Sequence, residues 1–145
     1  MEMELLRPEV FLARILIVDW EEDERVYLWE VLEKAGHELL FAADGQTALD
    51  VWQKKSVDLT ITELYLPQLN GLRLIREIAN RDAQARIVAI SAISADQLDM
   101  AEDFGACHIL FKPATPDRLL AAVEKALEGY RPVRRDVWIP RDVWK

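Results

Sequence analysis

Apolar positions along this chain alternate between two periods. Short runs of leucine and β-branched residues each give way to a longer stretch of helical spacing, five times in succession. The runs lie at 14–18, 38–43, 57–62, 86–91 and 107–111, and the helical stretches at 23–36, 45–55, 71–81, 94–105 and 115–129. Gly36 and Gly105 stand where helices should stop, Ser94 and Thr115 where a side chain can cap, and Pro116 at a first helical position that tolerates its missing N–H. In the first helix Val26, Trp29, Leu32 and Ala35 are placed on one stripe. Continuous apolar runs indicate strands buried on both faces, so the pattern predicts an α/β protein, a parallel five-stranded sheet with helices on either side.

Composition narrows the picture. The 145 residues, 51% hydrophobic, suffice for one sizeable core. They divide into an N-terminal extension (1–13), one domain (14–129) and a tail (130–145). A formal charge of −8, with no basic stripe in the first 128 residues, argues against nucleic-acid binding. The apolar runs are too short to span a membrane and the start "MEMELLRPEV" lacks a secretion pattern, so a cytoplasmic protein is expected. Cys107 is the only cysteine, which excludes an intrachain disulfide; it is expected as a small buried residue opening the fifth strand. His37 and His108 lack metal-ligand spacing and are expected in structural or surface roles.

In doubly wound sheets the chemistry collects beyond the carboxyl ends of the strands, near the reversal of winding. Here the first strand ends at Asp19, the third at Glu63, the fourth at Ser91 and the fifth at Lys112. If the order is 2-1-3-4-5, these four strands are consecutive at about 4.8 Å per step and the four residues share one rim. Neighbouring carboxylates at Asp19 and Glu63 would need a cation: Mg²⁺, which suits one or two carboxylates plus waters, or the Lys112 ammonium. The Ser91 hydroxyl can bond an oxygen of a bound group.

With "RILIVD" at 14–19, "DLTITELYLPQLNGLRLIREI" at 58–78, Ser91-Ala92 and "GACHILFKP" at 105–113, residues 14 to 129 resemble a response-regulator receiver domain of bacterial two-component signalling. The resemblance implies a flavodoxin-like (βα)5 three-layer sandwich with sheet order 2-1-3-4-5. It places the phosphoacceptor at Glu63, pocket roles on Asp19, Ser91 and Lys112, and a cis peptide bond at Lys112-Pro113. The histidine kinase or a downstream signalling protein is then the implied partner.

Three positions depart from the family pattern. Glu63 replaces the acceptor aspartate and carries one more methylene, which sets its oxygens about 1.5 Å further into the pocket. Errors of about 1 Å can cost about a hundredfold in rate, so loss of ordinary phosphorylation is expected. A longer carboxylate could instead reach Lys112 and imitate the phosphorylated state. Trp20 stands where the family has a second acid that binds metal, leaving Asp19 and Glu63 as weak metal candidates, with Glu21 or Glu22 as substitutes that are more simply read as a solvated helix start. Ile109 stands at the family's switch aromatic.

The first reading is therefore a stand-alone, atypical receiver that is not an enzyme and signals by protein contacts. "LLAAVEKAL" (119–127) is a candidate homodimer stripe as well as a core face. The second is a phosphorylation-competent Mg²⁺-dependent receiver. The third, a flavodoxin-like cofactor binder, is disfavoured because "DWEEDE" (19–24) repels anions where a phosphate loop would lie. The tail repeats Arg-Asp-Val-Trp at 135–138 and 141–144 and carries a net +3, leaving −11 on the rest. Its two prolines suggest an extended segment. Docking on the acidic body or on a second copy is weighed evenly against a poorly ordered terminus.

Overall fold

The structure, a computed structural model, describes residues 12–92 and 95–130. The readings made for the N-terminal extension, for Ser94 as a cap and for the Arg-Asp-Val-Trp repeats lie outside the described residues. Five strands, β1 (Arg14–Val18), β2 (Glu38–Ala42), β3 (Leu59–Glu63), β4 (Ile87–Ser91) and β5 (His108–Phe111), alternate with five helices. The helices are α1 (Glu22–Lys34), α2 (Gly45–Lys54), α3 (Gly71–Arg81), α4 (Ala95–Phe104) and α5 (Pro116–Ala126). The strands form one parallel sheet in the order β2-β1-β3-β4-β5.

Alternation along the strands divides the core in two. Ile15, Ile17, Leu59, Ile61, Val88, Ile90 and Leu110 face a cluster completed by Leu28 and Leu32 of α1 and by Leu119, Ala122, Val123 and Ala126 of α5. Leu16, Val18, Ile87 and Ala89 face the other cluster, with Leu74, Ile75 and Ile78 of α3 and Leu98 and Ala101 of α4. All five residues of β1 are buried, and a fully buried aliphatic side chain contributes about 1.5–3 kcal/mol relative to exposure. That explains why residues 15–18 of β1 read as an unbroken apolar run. Within the stretch 119–127, Leu119, Ala122, Val123, Ala126 and Leu127 are buried in this packing, whereas Leu120 is half-buried and Ala121 exposed.

Two expectations are corrected. The core stripe of α1 is Leu28 and Leu32, with Tyr27 and Val31 half-buried, whereas Val26, Trp29 and Ala35 are exposed. Four positions spaced by three residues drift about 60° per step around a helix of 3.6 residues per turn, so they cannot share a face. Trp29 instead meets the exposed Phe41 of edge strand β2 edge-on, with ring centroids 6.4 Å apart. Cys107 is exposed and precedes β5, because the last buried position before that strand is Ala106.

Side-chain caps fix the helices that frame the sheet's carboxyl edge. Asp44 accepts from the Thr47 N–H (2.7 Å), Asn70 from the Arg73 N–H (2.9 Å) and Thr115 from the Arg118 N–H (3.3 Å). Gly36 and Gly105 end their helices at positive φ, 98° and 134°, the backbone region glycine enters at little cost. Gly71, opening α3, has a different constraint. Its N–H donates to the Leu64 carbonyl (2.8 Å), and a Cβ there would run into the Glu63 carbonyl oxygen and lie 2.5 Å from Leu64 Cα. Those are backbone atoms that cannot rotate away. Gly71→Ala is therefore expected to lose about 1–3 kcal/mol in urea denaturation, despite alanine's better helix propensity.

Candidate functional site

Register alone brings the four strand-end residues together. Val18 pairs with Thr62, so Asp19 and Glu63 follow side by side; Glu63 pairs with Ile90, one residue before Ser91; and Ser91 pairs with Phe111, one residue before Lys112. The edge is tied further by the Lys112 N–H donating to the Ser91 carbonyl (2.9 Å) and the Asp19 N–H to the Ala42 carbonyl (3.1 Å). Asp19 and Ser91 are fully buried and Glu63 is 5% exposed.

Lys112 is the centre of the cluster. Its Nζ lies 2.7 Å from Glu63 Oε1, 2.9 Å from Asp19 Oδ2 and 3.7 Å from Glu24 Oε1. The other oxygen of Glu63, Oε2, accepts from the Ser91 hydroxyl (2.6 Å) and from the backbone N–H groups of Leu64 (2.8 Å) and Tyr65 (3.0 Å). Asp19 Oδ1 accepts from the Glu21 N–H (3.0 Å), and the Asp19 carbonyl from Arg25 (2.7 Å). The Lys112–Pro113 peptide bond is cis.

Opposing effects set the charges. Burial pushes the Glu63 carboxyl up, but the hydrogen bonds from Lys112, Ser91 and the Tyr65 N–H, with the lysine's charge, outweigh it and hold its pKa below the ordinary glutamate value. Burial alone would lower the Lys112 ammonium; hydrogen bonds to Glu63 and Asp19 and the charge of both carboxylates hold it well above the ordinary lysine range instead. One ammonium thus serves two buried carboxylates, so the cluster is held together by Lys112 but keeps an excess of one negative charge.

The other expected residues sit differently. Trp20 is 47% exposed, beside the pocket in sequence but turned substantially to solvent. Glu21 and Glu22 are exposed, and the third carboxylate near Lys112 is Glu24, which the sequence reading passed over. The signal for it was the helix start: a residue in the first turn of α1, five beyond Asp19, is carried back over the strand end. Ile109 is half-buried against the α2–α4 side core, paired with Ala89. His37 is half-buried in the turn before β2, where Nδ1 accepts from the Ala13 N–H (3.0 Å); burial, only partly offset by that bond, lowers its pKa. His108 opens β5.

Comparison with known proteins agrees with this arrangement. The response regulator receiver domain family model matches residues 15–124. The chain is 34% identical over 116 residues to chemotaxis protein CheY of Bacillus subtilis (strain 168), covering 79% of this chain and 97% of that one. It is 30% identical over 115 residues to sporulation initiation phosphotransferase F of the same organism, covering 79% and 93%. In three dimensions it is similar to a response regulator receiver domain protein from Clostridium thermocellum, with a TM-score of 0.77, 28% identity, and 81% and 95% of the two chains covered. Strand order, rim residues and relatives agree, and the chain belongs to the response regulator receiver domain family, the CheY-like receivers of two-component signal transduction.

Proposed function

We propose that this receiver is atypical: Glu63 serves as a fixed anion in the pocket, and the domain signals through contacts with other proteins without accepting a phosphoryl group. The observation that carries the reading is the state of the Glu63 carboxylate. Oε2 accepts three hydrogen bonds and Oε1 rests on Lys112. An attacking oxygen needs a free lone pair in line with phosphorus at about 3–3.5 Å, and a carboxylate offers about four lone-pair sites, so little capacity is left. The same contacts support partial imitation of an occupied pocket, because Ser91 and Lys112 already close on an anion. Partners on this reading are a histidine kinase, a downstream signalling protein or a second copy, and the domain is not an enzyme.

Mg²⁺ fits these residues poorly. The ion needs several oxygen donors, yet the Trp20 side chain offers none, and Asp19 and Glu63 each already hold the Lys112 ammonium through one oxygen. The alternative, a Mg²⁺-dependent acceptor for a histidine kinase, draws on that same convergence of two carboxylates on one cation; the ion would have to displace Lys112. Intact-mass measurement after incubation with acetyl phosphate and Mg²⁺ decides between them. The expected result is no added phosphoryl group while an ordinary receiver in the same tube is modified. An adduct on the wild type that is absent from Glu63→Gln would overturn the proposal.

A further inference from the structure

A groove of about 330 Å³ runs between α1 and α5, lined by Tyr27, Glu30, Val31 and Lys34 on one side and Pro116 and Leu120 on the other. Its floor is apolar and its rim is charged, a combination that suits an aromatic side chain with a polar edge. We propose that residues 131–145 fold back along this face and seat Trp138 in the groove.

Three observations favour this occupant. Tyr130, the last described residue, packs on the same core cluster as Tyr27, Val31 and Leu120, with its ring 5.5 Å from the Arg86 guanidinium, so the chain departs on this side of the sheet. Trp138 is eight residues further on, an extended reach of about 26 Å, whereas α5 from its last turn back to Pro116 is only about 16 Å long. Trp144 would overshoot the groove unless the segment looped. Charge is complementary as well: α1 carries five acidic and two basic residues, a net −3, and residues 131–145 carry five basic and two acidic, a net +3. Arginines 134, 135 and 141 bracket Trp138 and would lie along the acidic side of α1.

Amide-resolved NMR of the full chain tests this, with the two core clusters built from residues 13–130 as the internal control. In Trp138→Ala the amide signals of Tyr27, Glu30, Val31, Lys34 and Leu120 are expected to move, while those of Leu74, Ile75 and Ile78 across the sheet stay. Trp144→Ala should leave the groove signals in place. Added salt should shift wild-type signals toward their Trp138→Ala positions, and the differences should persist on dilution. Groove signals indifferent to Trp138→Ala would overturn the proposal. So would differences that fade on dilution, since a second copy would then supply the tryptophan.

Discussion

Lys112→Met is expected to destabilise the domain by about 3–5 kcal/mol at pH 7, the scale seen when one partner of a buried charge cluster is removed. The substitution keeps most of the side-chain volume, so the loss reports charge. Asp19 is fully buried and Glu63 nearly so, and Nζ contacts both at 2.9 and 2.7 Å. The pH dependence should change sign as well. In the wild type the Glu63 pKa is depressed, so its contribution is present above its unfolded value of about 4.3 and is lost as pH falls through the folded value. Lys112 is raised, so its contribution is present below about 10.4 and is lost only as pH rises beyond that. Without the ammonium, Glu63 lies buried beside Asp19 with only the hydrogen bonds from Ser91, Leu64 and Tyr65 to oppose repulsion and desolvation, so its carboxyl is pushed up toward protonation in the folded state. The folded variant then binds more protons than the unfolded chain, so its stability should rise as pH is lowered from 7 toward 5. Urea midpoints at several pH values measure this. A variant as stable as wild type, or one that weakens on acidification, would show that Lys112 is not the cation that sustains the cluster.

The sheet and the rim were legible because both follow from short-range rules. β1, β3 and β4 are buried on both faces, β1 and β4 reading as nearly continuous apolar runs and β3 as Leu and Ile interleaved with Thr, and the carboxyl edge is the last residue of each run or the one after it, so Asp19, Glu63, Ser91 and Lys112 could be placed together before any contact was known. Strand register, which depends only on that alternation and on loop length, then converts adjacency in order into distances under 3 Å. What stayed illegible depends on helix rotation. Whether Leu28 or Trp29 of α1 faces the core is a matter of 100°, and the apolar positions there are numerous enough to support several stripes. The same rotation decides that Glu24, in place of Glu21 or Glu22, reaches Lys112. Cys107 was misplaced by one residue at a strand boundary, where a single step exchanges inside for outside. The saturation of Glu63 Oε2 by two backbone N–H groups and Ser91 comes from the turn of the chain at Leu64 and Tyr65, a backbone feature that residue identity does not announce.

Reversing two of the departures from the family pattern should turn the pocket into a phosphoryl acceptor. Glu63→Asp shortens the side chain by one methylene and withdraws the carboxylate by about 1.5 Å, enough to break a 2.7 Å contact with Lys112 and free an oxygen for attack. Taken alone, that leaves Asp19 and the new carboxylate without the further oxygen donor a hydrated Mg²⁺ would use, since position 20 still presents an indole. Trp20→Asp alone adds the donor but keeps Glu63 locked. Either single variant is therefore expected to react with acetyl phosphate at least about a hundredfold more slowly than the double variant, the penalty for misplacing reacting groups by about 1 Å. In the double variant an aspartate oxygen at position 63 bonds to phosphorus as acetate departs. The adduct should require Mg²⁺, appear once per chain by intact mass, and disappear when position 63 is Asn. Modification of Glu63→Asp as rapid as that of the double variant would show that Trp20 is no obstacle. A double variant that stays bare would place the block in the remaining contacts of Lys112, with Glu24 the first to be removed.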